Sequence, residues 1–113
     1  MAKTPEQKVK DRAVATLKDL GCYYFFAYTG GYGTSGVPDI VLCYRGVFVG
    51  LECKAGAKRP TPLQVAHLRA IRAAGGLAYV VGDRVPKGAE YHITPEELPA
   101  LFSRVDAKLD AGA

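Results

Sequence analysis

Asp39-Ile-Val-Leu-Cys-Tyr-Arg-Gly-Val-Phe-Val-Gly-Leu-Glu-Cys-Lys54 is the stretch that decides the fold. It reads as a hairpin: a strand over 39–44, a turn at Arg45-Gly46 where glycine supplies the positive φ a tight turn needs, and a strand over 47–54. A turn centred there sets Tyr44 opposite Val47, Val41 opposite Gly50, and Asp39 opposite Glu52. Opposed residues share a face of the sheet, with Cβ atoms ~4.5–5.5 Å apart. Lys54, two positions past Glu52, points to that same face. Ile40, Leu42, Val47, Val49 and Leu51 lie on one side of the hairpin, and Val41, Cys43 and Phe48 on the other. Strands apolar on both sides belong in the middle of a sheet with helices over each face.

Two carboxylates opposed in a buried sheet repel each other and destabilise the fold unless something offsets the charge. A shared proton, a salt bridge to Lys54 and a divalent cation are the three candidates. Mg²⁺ takes oxygen ligands at ~2.0–2.1 Å, keeps several waters and recruits one or two carboxylates together with phosphate. A cation held there acidifies a bound water and neutralises charge on a phosphodiester, and Lys54 stands ready to hold or deprotonate that water. A Glu-x-Lys or a Pro-Asp alone carries almost no information; the conjunction of all three residues on paired buried strands does.

The flanking sequence completes an α/β pattern. Upstream, Thr4-Pro5-Glu6-Gln7 predicts an N-capped helix from about Pro5 to Leu20 with a capping box, stopped by Gly21. Val9, Ala13, Leu17 and Leu20 repeat on one face, and Glu6 falls on that face too, an unusual place for an acid. An aromatic strand over 23–28 and a glycine-rich loop, Thr29–Gly36, lead into the hairpin. Downstream, the loop 55–60 precedes a second capping box, Thr61-Pro-Leu-Gln64, opening a helix that ends at Gly75-Gly76. Leu77–Val81 reads as a buried strand parallel to 47–54, because strand, helix and strand in succession imply a right-handed crossover. An edge strand at Tyr91–Ile93 and a helix after Thr94-Pro95-Glu96-Glu97 close the chain. The expectation is one domain over 1–113, with a core at about 5–81 and an appendage over 82–113.

Bulk properties narrow the function classes. The 113 residues, 49% hydrophobic, suffice for one packed core, and no apolar run reaches the ~20 residues of a membrane span. No signal-peptide pattern opens the chain. Cys22, Cys43 and Cys53 form no even set and no CxxC pair, which predicts reduced thiols in the cytoplasm and disfavours zinc. A formal net charge of +4 suits a polyanionic partner without naming one.

Gly36-Val-Pro38-Asp39, the spacing to Glu52-Cys53-Lys54, and Thr61-Pro-Leu-Gln64 on a glycine-ended helix resemble the PD-(D/E)XK nuclease superfamily, and within it the VRR-NUC (virus-type replication-repair nuclease) family. The resemblance runs from Glu6 to about Val81. It implies a restriction-endonuclease-like αβββαβ core and a Mg²⁺- or Mn²⁺-dependent endonuclease acting on DNA, selective for branched replication or repair intermediates such as four-way junctions or flaps. By position it makes Asp39 and Glu52 metal ligands, with the backbone carbonyl of Cys53 completing the inner shell. It has Lys54 serve the attacking water, Gln64 line the site, and Glu6 approach the metals or their waters. It further implies a homodimer and a bacterial, phage or prophage setting. The competing readings are a DNA-binding module without turnover and another superfamily nuclease, of restriction or single-strand-trimming type.

Other features carry less. Lys58 and Arg59 are placed to touch phosphates flanking a cut, or form an ordinary solvated basic loop. Tyr28 and Tyr32 offer rings for stacking on an unpaired base, or form the rim of a strand end. The loop Thr29–Gly36 lacks the Gly-Lys-Ser/Thr ending of a P-loop. His67 and His92 lack the paired spacing of a histidine–metal nuclease, and Ser35 and the cysteines lack a positioned base.

Overall fold

The computed structural model describes residues 2–27 and 35–112, in the order α1 (Pro5–Asp19), β1 (Tyr23–Phe26), β2 (Ile40–Tyr44), β3 (Val47–Cys53), α2 (Pro62–Ala73), β4 (Leu77–Val81), β5 (His92–Ile93) and α3 (Leu98–Ala111). A 3₁₀ turn, Pro95–Glu97, runs into α3. The five strands form one mixed sheet in the order β1-β2-β3-β4-β5. β1, β2 and β3 are antiparallel neighbours, and β4 runs parallel to β3, as the crossover rule requires. β5 adds parallel to β4 at the edge.

The hairpin register is the expected one: Tyr44 pairs with Val47, Val41 with Gly50 and Ile40 with Leu51. Arg45 (φ 49°) and Gly46 (φ 84°) are both left-handed, as a two-residue turn that follows the twist of its strands demands. The strained arginine is tied down from α3, its guanidinium donating to Asp106 at 2.9 Å and Asp110 at 3.0 Å.

One side of the sheet holds the main core. Ile40, Leu42, Val49, Leu51, Cys53 and Val81 pack there against Val9, Ala13 and Leu17 of α1 and against Leu98, Leu101 and Phe102 at the start of α3. Phe102 stacks on Tyr44 with ring centroids 4.6 Å apart. Residues 82–113, set apart as an appendage in the sequence reading, thus contribute to the same cluster as the strands. α2 covers the opposite side with Leu68 and Ile71, but only over Ala78 and Val80 of β4 and the neighbouring part of β3.

The expectation that the hairpin is covered on both faces needs correction. Twelve residues of α2 do not reach β1 and β2, so Tyr23 (73% exposed), Phe25 (49%) and Phe48 (48%) stand open, with Cys43 exposed among them. The capping boxes also differ from each other. At α2 both halves form. At α1 Thr4 accepts from the Gln7 amide nitrogen at 3.1 Å, but the Gln7 side chain donates to Asp11 at 2.8 Å instead of turning back, so only half of that box exists.

Candidate active site

The β2–β3 ladder ends at Ile40 and Leu51, and the next pair in that register is Asp39 and Glu52. Asp39 lies at the mouth of β2, where its carbonyl accepts from Ala27 N–H at 3.2 Å and its Oδ2 accepts from Cys53 N–H at 2.8 Å. These two bonds extend the sheet by one step on each side and fix the Asp39 backbone and carboxylate together. The segment leading to it is seated against neighbouring elements. A methyl group on Gly36 (φ +82°) would lie 2.6 Å from Leu63, and one on Gly50 would lie 2.9 Å from Pro38 and 2.8 Å from Ile71. Gly36 and Gly50 therefore let Pro38 wedge between β3 and α2, immediately before Asp39.

Glu52 is 3% exposed and is the one buried polar or charged side chain among the described residues. Its Oε1 accepts from Gln64 Nε2 at 3.0 Å, while its Oε2 is buried with no hydrogen-bond partner. The capping box explains why Gln64 presents nitrogen to Glu52. Its Oε1 accepts from Thr61 N–H at 2.9 Å, and its own backbone N–H donates to Thr61 Oγ1 at 3.2 Å. Helix initiation and carboxylate positioning are thus one hydrogen-bond network, and Gln64 acts on Glu52 directly.

Burial pushes the Glu52 carboxyl up to about 8, helped by the neighbouring Asp39 carboxylate; Lys54 opposes this, and Glu6 adds a smaller upward push. The Cys53 thiol is driven up to about 12 by burial and then by the same two carboxylates, so it remains a neutral thiol in the core. Lys54 follows directly on β3, with its backbone N–H donating to Val81 O at 2.9 Å. Glu52 thus has Gln64 bonded to it, Asp39 beside it and the Lys54 charge acting on it; spacing put Asp39, Glu52 and Lys54 on one face, and the resemblance put Gln64 with them. Glu6 lies exposed at the open end of α1, with its charge felt at Glu52 and Cys53.

The residues fit a hard divalent cation. A buried carboxylate oxygen without a partner, facing a second carboxylate, is an arrangement that a cation with oxygen preference satisfies. Among the described residues no group of three or more His, Cys, Asp or Glu side chains is gathered to hold a metal, so Glu6 does not join Asp39 and Glu52 in such a group.

Several supporting residues escaped the sequence reading. Asp83 accepts from Gly56 N–H at 2.8 Å and from Arg12 at 2.7 Å, and Arg12 also binds Glu96, so one arginine on α1 ties down the loop that follows Lys54. Lys10 lies 4.3 Å over the Phe26 ring and its charge reaches Cys53; its place one helical turn after Glu6 was the available signal. Lys58 is exposed, and Arg59 turns away to donate to Lys87 O at 3.2 Å. Tyr28 and Tyr32 lie outside the described residues.

This is the architecture of a restriction-endonuclease-like α/β domain, with an Asp–Glu–Lys cluster at one end of the central hairpin. No family model matches the sequence, and no curated protein matches it. Among solved structures, 11 chains match. One is described as a VRR_NUC domain; it is 23% identical, superposes with a TM-score of 0.64, and the match covers 89% of this chain and 97% of that one. The chain has the fold of that domain over nearly its whole length.

Proposed function

We propose that this chain is a metal-dependent nuclease of the PD-(D/E)XK type, in the VRR-NUC family, that hydrolyses DNA phosphodiester bonds. One observation carries the reading: Asp39 and Glu52 meet at the end of a buried hairpin with a Glu52 oxygen left without a partner. The shared fold supports it. Asp39 and Glu52 would hold the metal, with the backbone carbonyl of Cys53 as a third oxygen donor, and Glu6 would approach its waters or a second metal. When bound, Mg²⁺ or Mn²⁺ neutralises charge on the phosphodiester and acidifies the attacking water. Gln64 keeps Glu52 oriented through its Nε2. Lys54, on the same face of β3, positions the attacking water and takes or stabilises charge as the phosphorus–oxygen bond breaks.

The finer reading is selectivity for branched DNA and action as a homodimer. The open face of β1–β3 supports the second point, since Tyr23, Phe25, Val41, Cys43 and Phe48 form a contiguous apolar area with no charged side chain among them. Free cysteines fit a reducing cytoplasm, in a bacterium or a phage-infected cell.

The test is cleavage of labelled four-way junction, flap, duplex and single-stranded DNA with Mg²⁺, Mn²⁺ or EDTA. Metal-dependent cutting is expected, fastest on the branched substrates. Lys54→Ala is expected to lower the rate by at least about 100-fold with folding and DNA binding intact. Cutting in EDTA, or binding without cutting under every metal condition, overturns the mechanism.

A further inference from the structure

Beyond the hairpin site, three arginines, Arg59, Arg69 and Arg72, gather beside α2. A pocket of about 280 Å³ opens there, between α2 and the connection into β5, lined by Arg59, Arg69, Arg72, Glu90, Tyr91 and His92. Of the residues read above toward the cleavage site, only Arg59, a candidate contact for phosphates flanking a cut, lines it. It is nevertheless close to them. Val80 lines the pocket and pairs with Glu52 on one side and His92 on the other, so Glu52 and His92 are two strand spacings apart, about 10 Å.

The pocket is built. Arg72 stacks its guanidinium on the Tyr91 ring, 3.5 Å from the centroid, and donates from Nε and Nη2 to Ala78 O at 3.2 and 3.0 Å. Tyr91 itself sits at φ 59°, an uncommon conformation for a tyrosine and one that neighbouring structure must hold. Arg59 reaches in from the β3–α2 loop, steadied by its bond to Lys87 O. Among the described residues neither Arg59, Arg69 nor Arg72 is in a salt bridge. Glu90 is the only acid of the lining, against three arginines. Burial, and then the Arg59 charge, hold His92 below its ordinary value, so it adds a neutral imidazole to the wall.

We infer that this pocket binds a phosphate group, with Arg59 and Arg69 as the main anion contacts, Arg72 as a stacked and fixed guanidinium, and His92 as a further hydrogen-bonding partner. Guanidinium forks match phosphate oxygens in geometry as well as charge. That the phosphate belongs to the nucleic-acid strand being cut rests on the nuclease reading. That the pocket takes a phosphate does not.

The experiment follows the His92 ring resonances by proton NMR as a function of pH, with His92→Gln used for assignment. The charged and titratable groups facing His92 are Arg59 from the loop, Arg69 and Arg72 from α2, and Glu90 and Tyr91 from its own connection. The probes are sodium phosphate, sodium chloride at matched ionic strength, thymidine 5′-monophosphate, and the dinucleotide TpT, which carries only an internal diester. A bound anion favours the charged imidazole, so phosphate is expected to raise the His92 midpoint where chloride does not. The double substitution Arg59→Ala with Arg69→Ala, both on exposed positions, is expected to weaken phosphate binding by about ten-fold or more. A response to thymidine 5′-monophosphate alone assigns the pocket to a strand end, and a response to TpT assigns it to backbone phosphate; each supports the inference. A midpoint moved no further by phosphate than by chloride, or moved equally in the double variant, overturns it. Loss of the nuclease reading in the cleavage assay leaves this binding result unaffected, so the two fail separately.

Discussion

Glu52 concentrates the physical tension of the molecule in one side chain. It is buried beside a second carboxylate, one oxygen is held by Gln64 and the other has no partner. Its folded-state value of about 8 stands above the ordinary 4.5, so between those values the folded protein binds a proton that the unfolded chain releases. The contribution of Glu52 to the stability of the metal-free protein is therefore full below about pH 4.5 and declines as the pH rises towards 8. On the proposed metal site, a divalent cation would substitute for the lost proton. Differential scanning fluorimetry is expected to show a larger Mg²⁺-induced rise in Tm at about pH 9 than at about pH 5, where protons compete for the same oxygens. An equal rise at both values, or none, removes the cation from this carboxylate pair. The residues of this cluster were readable from spacing alone because strand pairing converts sequence separation into a facing pair. The role of Gln64 was not, since the direction of its amide depends on Thr61.

At the scale of elements, two joints aim the cluster. The first is the start of α2, where Thr61 both caps the helix and pins the Gln64 amide. Thr61→Ala is expected to cost about 0.5–2 kcal/mol by chemical denaturation, the usual loss for a cap. It is also expected to lower cleavage further than lost stability explains, because Glu52 loses a fixed partner. Thr61→Ser, which keeps the hydroxyl, is expected to retain both. The second joint is the wedge of Pro38 between β3 and α2. Gly50→Ala places a methyl against Pro38 and Ile71, and overpacking of this kind costs about 1–3 kcal/mol. Thermal denaturation and metal affinity are both expected to fall, since Pro38 carries Asp39 with it. Periodicity and capping residues made these elements legible. The half-formed box at α1 shows the limit of such reading: Thr-x-x-Gln is the same at Thr4 and Thr61, and only the presence of Asp11 one turn on diverts Gln7.

For the whole molecule, the uneven cover of the sheet matters most. α1 and α3 close one face, and α2 closes half of the other, leaving the β1–β3 aromatic area bare. On the dimer reading, Phe48→Glu is expected to shift the protein from dimer to monomer in light scattering after size exclusion while leaving the fold intact, since Phe48 is already half exposed. A wild-type protein that runs as a monomer at high micromolar concentration ends that reading. The pocket of arginines beside α2 belongs to this scale as well. Its residues come from the β3–α2 loop, α2 and the approach to β5, and no local pattern joins Arg59 to His92.

By itself the sequence determined the order of elements, the hairpin register and hence the Asp39–Glu52–Lys54 cluster, because each follows from local rules of period, turn chemistry and capping. The tertiary structure decided what lies over each face. It drew Leu98, Leu101 and Phe102 into the main core, left Phe25 and Phe48 uncovered, joined Arg12 to Asp83 across the fold and gathered three arginines around His92. Those outcomes depend on helix length and on where distant segments land. A strand apolar on both sides records its capacity to be covered, and only the reach of the helices determines whether it is.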